Sequence, residues 1–240
     1  MADIGYGYGS EWHLLRFLGY HRSALDSAVL HATGGQQIEW LDFPFNPAKR
    51  FYDGEWKGLN FLESGHPVRQ EWSRYWPTSG NVQNWDAVGR LRNGGQDEWL
   101  LVEAKAHIDE IKSSCGAIER GGLPMIRSAF EVTKRNMAID QSKDWLSPFY
   151  QYANRLATLD FLLQHNVSAR LVFIYFLGDE HQGAKCPATV EEWRPALQEP
   201  VAHLGLSGAS DVEARTHSIF LRVNDGESFS ASASPTGVGD

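Results

Sequence analysis

The sequence NWDAVGRLRNGGQDEWLLVEAKAH, residues 84–107, carries the clearest structural signal in the chain. Two runs with the character of β-strands, 82–92 and 98–106, flank the tetrapeptide Asn-Gly-Gly-Gln. Gly-Gly between two such runs is typical of a two-residue type I′ turn. The stretch therefore predicts an antiparallel hairpin with Gly94 and Gly95 at its tip. Asn93 then faces Gln96, and each step back along one strand matches a step forward on the other.

This register brings charged residues to one face of the hairpin. Asp86 lies opposite Glu103, and Asn84 lies opposite Lys105. Side chains alternate between faces along a strand, and opposed residues share a face with Cβ atoms ~5 Å apart. A register slip of one residue would separate the charged groups. The other face receives residues suited to a core: Trp85, Ala87, Leu91, Leu100, Val102 and Ala104.

Two carboxylates at this distance repel each other unless a cation neutralises them. A hard divalent ion, Mg²⁺ or Mn²⁺, prefers oxygen ligands, here Asp86, Glu103 and the backbone carbonyl of Ala104. A bound water can become a nucleophile toward a phosphodiester, and Lys105 can activate or position that water, or stabilise the developing charge. The alternative is a cross-strand salt bridge between Lys105 and either acid on a solvated sheet face. Glu-x-Lys occurs three times in the chain, and only this copy follows an apolar strand.

The remaining sequence predicts one α/β domain over residues 1–225, with a C-terminal helix and strand as decoration. A Ser/Gly-rich tail, 226–240, is expected to be disordered. Residues 44–81 are punctuated by proline and predict loops with short elements. Periodicity, glycine pairs and capping residues predict helices at 11–32, 108–118, 124–140, 148–165 and 189–204, and strands at 36–43, 169–177 and 216–223. The apolar run at 169–177 is typical of a strand buried on both faces.

This organisation resembles the PD-(D/E)xK nuclease superfamily, which has the restriction-endonuclease-like fold. Its core order is α-β-β-β-α-β in a mixed central sheet flanked by helices, with an acid on the second strand and a (D/E)xK triplet on the third. Asp86 matches that acid, and Glu103-Ala104-Lys105 matches the triplet. The resemblance implies a metal-dependent nuclease, catalytic Asp86, Glu103 and Lys105, and DNA as substrate. A silent nucleic-acid- or protein-binding module on the same scaffold is the alternative.

The sequence departs from the family pattern at two places. Trp85, not proline, precedes the acid, and the helix at 148–165 lacks the Gln-x-x-x-Tyr of the RecB-like branch. Residues 69–89, RQEWSRYWPTSGNVQNWDAVG, resemble an uncharacterised bacterial branch instead.

One supporting candidate lies on that helix. Gln151 belongs to a polar stripe with Asn154, Arg155 and Thr158. In the family the corresponding helix often lines the site, so Gln151 could support metal or phosphate. A solvated helix face is the alternative and is favoured by spacing alone.

Three further candidates each have a structural alternative. Glu11 could add an acid from the first helix or simply stabilise the helix dipole. His107 shares the face of Lys105 and could touch phosphate, or it is a surface histidine. Trp99 also lies on this face and could stack on unpaired bases, although packing is favoured.

Composition limits the function classes. Hydrophobic residues make up 42% of the 240 residues, which suits a folded soluble protein, and no run reaches the roughly 20 apolar residues of a membrane span. The start of the chain lacks the pattern of a secretory signal, and two cysteines exclude a disulfide framework, so we expect a cytoplasmic location.

Charge limits how nucleic acid could be bound. The 22 Lys and Arg against 30 Asp and Glu give a net charge of −8, which disfavours non-specific coating of nucleic acid. We therefore expect weak, metal-assisted DNA binding, with a homodimer or partner subunit as a further source of basic surface.

Overall fold

The computed structural model describes residues 7–43, 55–80, 82–224 and 229–230, which form a mixed α/β fold. The helices are α1 (Ser10–Gly19), α2 (Arg22–Thr33), α3 (Pro67–Tyr75), α4 (Leu123–Asn136), α5 (Tyr150–Gln164), α6 (Val190–Leu204) and α7 (Asp211–Ala214), with a 3₁₀ turn at Ile108–Ile111. The strands are β1 (Gln37–Trp40), β2 (Trp56–Lys57), β3 (Asn84–Trp85), β4 (Ala87–Asn93), β5 (Gln96–Lys105), β6 (Ala169–Leu177), β7 (Thr216–Arg222) and β8 (Phe229–Ser230).

Six strands form the main sheet in the order β1-β4-β5-β6-β7-β8. The first three make an antiparallel meander, β6 and β7 run parallel to β5, and β8 is antiparallel to β7. The short strands β2 and β3 pair with each other in a separate sheet.

The predicted hairpin register is confirmed. The β4–β5 ladder runs from the Asn93–Gln96 pair to the Ala87–Val102 pair. Gly94 and Gly95 have φ angles of 57° and 86°, the positive values that a type I′ turn requires at both central positions.

Helices cover both faces of the main sheet. On the face that we call the α1 face, apolar residues of α1 and α2 pack against Ala87, Leu91, Leu100, Val102 and Ala104. On the opposite α5 face, α5 and its neighbours pack against Val88, Leu101, Leu171, Phe173 and Tyr175. Strand β6 contributes buried side chains to both clusters, which confirms the prediction that it is buried on both faces.

The single helix predicted at 11–32 is wrong. Two helices form, and the chain turns between them at Tyr20, which is 84% exposed. Gly19 ends α1, and glycine is a poor helix former because its backbone is unusually free in the unfolded chain. The break lets both segments face the sheet, with Phe17 and Leu25 in the same cluster.

The helix predicted at 108–118 is also wrong, because only the 3₁₀ turn forms there. The chain then extends and pairs with the segment before α5. The amide of Ser113 donates to the carbonyl of Pro148 at 2.6 Å, and that of Cys115 donates to the carbonyl of Leu146 at 2.8 Å. These long-range hydrogen bonds outweigh a weak local helix preference.

Strand β8 lies in the tail predicted to be disordered and pairs with β7. The remaining positions of that prediction lie outside the described residues, as do 44–54 and 81 of the predicted loop region. Within the part of the chain that is described, no helix is long and apolar enough to span a bilayer.

Candidate active site

Asp86 lies where β4 leaves the main sheet. Its amide donates to the carbonyl of Val102 at 3.1 Å, one residue beyond the last ladder pair. Its side-chain Oδ2 accepts from the amide of Ala104 at 2.6 Å. The carboxylate therefore lies across the edge of β5, in a position that a continuing strand would otherwise occupy.

The expected pairing of Asn84 with Lys105 is wrong. Asn84 belongs to β3 and faces Lys57 of β2. The chain turns at Asp86, and this turn also changes the face on which Trp85 lies. Trp85 was expected on the α1 face, but it is fully buried in the cluster of the α5 face, together with Val88.

Glu103 and Lys105 share the α5 face of β5, as their spacing predicts. Glu103 is 1% exposed and Lys105 is 9% exposed. The ammonium of Lys105 donates to Glu103 Oε1 at 2.5 Å and to Gln151 Oε1 at 2.9 Å. Gln151, on α5, thus lies beside the pair, and its backbone amide donates to Ser113 Oγ at 2.8 Å.

Arg155 is the residue that sequence reasoning missed. Its Nε and Nη2 atoms lie 2.8 Å and 2.7 Å from Glu103 Oε2, and Nη2 also donates to the carbonyl of Asn84 at 2.6 Å. Nη1 donates to Asn154 Oδ1 at 2.8 Å, and the guanidinium stacks 4.7 Å from the centroid of the Trp85 ring. Both oxygens of Glu103 therefore accept from cationic side chains.

The polar stripe of α5 is buried, so its interpretation as a solvated helix face is wrong. Asn154, Arg155 and Thr158 are each less than 5% exposed. Every residue from Ala153 to Leu162 is buried. A helix that is buried all round carries its polar groups only if they are paired. The apolar residues on both sides of the stripe were the signal that could have revealed this.

Burial and charge act differently on the two carboxyl groups. Burial raises the pKa of Asp86 well above its ordinary value, and the nearby charge of Glu103 raises it further. Burial would also raise the pKa of Glu103, but Arg155 and Lys105 together hold it below its ordinary value. The charged form is thus favoured at Glu103 and disfavoured at Asp86.

The chemistry of these oxygens fits a hard divalent cation. Asp86 and Glu103 supply carboxylates, and Ala104 supplies a backbone carbonyl. The amide and carbonyl of a strand residue point to the same edge, and the Ala104 amide bonds to Asp86, so the carbonyl faces that edge too. Among the described residues, this site included, no group of three or more His, Cys, Asp or Glu side chains is arranged to hold a metal ion. A metal at this place would therefore rely on two side chains and the backbone.

Comparison with known proteins adds no relative. No family model, curated protein or solved structure matches this chain.

Glu11 lies on α1, and His107 lies just after the end of β5. Glu11 is in the first turn of α1, a helix that packs on the α1 face and not on the α5 face that carries Glu103. His107 follows the end of β5, where its Nε2 is 3.3 Å from Glu110 Oε1 and its ring meets that of His181 at 5.4 Å.

Trp99 lies on the α5 face of β5, as predicted, but it is packed. Its ring is 4.8 Å from that of Phe61, and the Arg90 guanidinium lies 4.3 Å above it. At ~3.3 Å per residue, four residues separate it from Glu103 by ~13 Å. These contacts favour the packing role over stacking on a base.

Proposed function

We propose that this chain is a metal-dependent nuclease of the PD-(D/E)xK type that hydrolyses phosphodiester bonds in DNA. One observation carries the proposal: Asp86 meets the Glu103-Ala104-Lys105 triplet where β4 leaves the sheet. The element order supports it as well. A helical layer, the antiparallel meander β1-β4-β5, helix α5 and the parallel strand β6 follow one another as in the α-β-β-β-α-β core.

Each residue has a distinct role in this proposal. Asp86, Glu103 and the Ala104 carbonyl would hold Mg²⁺ or Mn²⁺, which when bound would lower the pKa of a coordinated water. Lys105 donates to two acceptor oxygens, those of Glu103 and Gln151, an arrangement that favours its ammonium form. As a cation it orients the attacking water and stabilises negative charge that develops on the phosphate.

The closed ion-pair network favours a second candidate, a binding module without cleavage. Glu103 and Arg155 are each at most 3% exposed, and Lys105 is 9% exposed. A phosphodiester can reach such a cluster only if part of this network opens. The net charge of −8 also favours weak binding of DNA, strengthened by metal or by a partner subunit.

Cleavage assays separate the two candidates. We expect the wild-type protein to cleave single- or double-stranded DNA with Mg²⁺ or Mn²⁺, and Glu103→Gln and Lys105→Met to lower the rate by about 100-fold or more. Lys112→Met is the matched control, because Lys112 is the lysine of another Glu-x-Lys copy and pairs with Glu199 at the surface. RNA substrates in the same assay test the choice of nucleic acid.

The outcomes are distinct. Cleavage by Glu103→Gln at the wild-type rate would overturn the nuclease proposal. An absence of cleavage, with Mn²⁺ raising the melting temperature of the wild-type protein but not of Asp86→Asn, would establish the binding module instead.

A further inference from the structure

Both carboxylate oxygens of Glu103 already contact cationic side chains of the protein. Oε1 accepts from Lys105, Oε2 accepts from Nε of Arg155, and Nη2 of Arg155 lies 2.7 Å from Oε2 as an ion-pair contact. An oxygen that accepts a charge-assisted hydrogen bond and has a second guanidinium nitrogen at 2.7 Å is held in close contact with positive charge. A divalent cation at Glu103 must therefore compete with a cation that already belongs to the protein.

Arg155 is held in place from three other directions. The Asn84 carbonyl accepts from Nη2, Asn154 Oδ1 accepts from Nη1, and the Trp85 ring lies beneath the guanidinium. These partners come from β3 and from α5 itself. The side chain is thus pre-organised against Glu103, and its orientation does not depend on that carboxylate alone.

We propose that Arg155 is a built-in competitor for the metal at Glu103 and sets the affinity of the site for divalent cations. This inference rests on the metal site of the proposed function. Metal entry would release Oε2 from the guanidinium, which also donates to the carbonyl of Asn84, two residues before Asp86. Arg155 is therefore a positioning residue that links metal binding at Glu103 to the segment that carries Asp86.

Measuring Mn²⁺ affinity by calorimetry tests this directly. We expect Arg155→Met to bind Mn²⁺ about tenfold more tightly than the wild-type protein, a gain of about 1.4 kcal/mol. A merely structural role would give the opposite sign, because a disturbed site loses affinity. Arg170→Met is the matched control: Arg170 also pairs with a buried glutamate, Glu98 Oε2 at 2.7 Å, but at the other end of the strands. Its Mn²⁺ affinity should equal that of the wild type.

Two further measurements cover a variant that does not fold, since removal of one partner from a buried ion pair is strongly destabilising. Arg155→Lys keeps the positive charge but loses the guanidinium that places Nε and Nη2 against Glu103. It should therefore tighten Mn²⁺ binding by less than Arg155→Met would. In the wild-type protein, titration with Mg²⁺ should shift the Arg155 Nε–H signal in an ¹⁵N–¹H NMR spectrum and leave that of Arg170 unchanged. The Arg155→Lys spectrum identifies the Arg155 signal by its loss.

Failure of this inference and failure of the proposed function look different. If the wild-type protein binds Mn²⁺ and the Arg155 variants bind it no more tightly, the competitor role is overturned and the metal site stands. Binding by Arg155→Met but not by the wild type supports the competitor role and overturns the native metal-dependent activity. Binding by neither protein overturns both.

Discussion

Gln151 is the side chain that completes the surroundings of the Lys105 ammonium. It is the only residue of α5 in hydrogen-bond contact with Lys105 among the described contacts, at 2.9 Å. Its backbone is fixed through Ser113, in the extended segment that pairs with the start of α5. The position of Lys105 thus depends on the extended segment that follows β5 and contains Ser113.

If the proposed nuclease function holds, replacement of Gln151 by leucine should lower the cleavage rate by about tenfold to 100-fold, because a small misplacement of a positioned group is costly. Gln164→Leu is the matched control on the same helix, where the glutamine contacts Asp160 at 3.4 Å. Turnover and melting temperature should be measured for both variants. An equal loss of rate in the two variants would contradict a role for Gln151 at the site.

The two halves of the site differ in how far the sequence could predict them. Asp86, Glu103 and Lys105 come together through one tight turn and strand alternation, which are local rules, and the register followed from Gly94 and Gly95. Arg155 lies 52 residues from Glu103, and its contact depends on how α5 docks against the sheet. No local pattern specifies that docking, so the apolar residues beside the stripe could indicate that Arg155 is buried but not that it contacts Glu103.

At the scale of elements, β6 is the strand on which both clusters depend. It lies between β5 and β7 and contributes Ile174 to one cluster and Phe173 to the other. Its nearly uninterrupted apolar sequence made it predictable, since a strand covered on both faces has few polar positions, here Arg170 near its start. The segment after β5 was not predictable in this way, because its structure comes from hydrogen bonds to Pro148 and Leu146.

One substitution measures how much a buried side chain of β6 contributes to the free energy of unfolding. Ile174→Ala should lower the free energy of unfolding by about 2–5 kcal/mol, since Ile174 is fully buried and its loss leaves a cavity. Ile118→Ala, at a position 67% exposed, should change it by less than about 0.5 kcal/mol. Urea unfolding of the two variants gives the comparison, and similar values for both would refute the buried position of Ile174.

At the scale of the whole molecule, a second ion-pair cluster ties three strands together at the end of the sheet opposite the site. Glu98 of β5 accepts from Arg170 at 2.7 Å, from Arg215 at 2.6 Å and from Ser168 Oγ at 2.8 Å. His217 of β7 accepts from Arg170 at 3.3 Å. Burial opposes charge on Glu98, yet these donors lower its pKa to about 2. Burial, followed by the charge of Arg170, lowers the pKa of His217 to about 4.

Both shifts make the folded protein less stable in acid. The unfolded chain binds protons more readily at each group, so stability falls as pH decreases. Stability is lost through His217 between pH 6.5, its ordinary pKa, and about pH 4, its pKa in the folded protein. Stability is lost through Glu98 between pH 4.5 and about pH 2 for the same reason. We expect these two groups to lower the melting temperature from pH 7 to pH 4, whereas Asp86, whose pKa is raised, contributes with the opposite sign.

A histidine variant isolates the upper part of this range. His217→Asn should flatten the decline between pH 6.5 and pH 4, whereas His31→Asn, on the exposed side of α2, should leave it unchanged. A His217→Asn protein with the wild-type slope in this range would show that the decline has another source.

The turn of the chain at Asp86 has a consequence for the order of assembly. The acidic pair is built within a hairpin, from residues 18 positions or fewer apart, so it can form as soon as that hairpin folds. Its arginine counter-ion arrives only when α5 docks. Docking of α5 therefore buries Glu103 and brings Arg155 to it as the second cation.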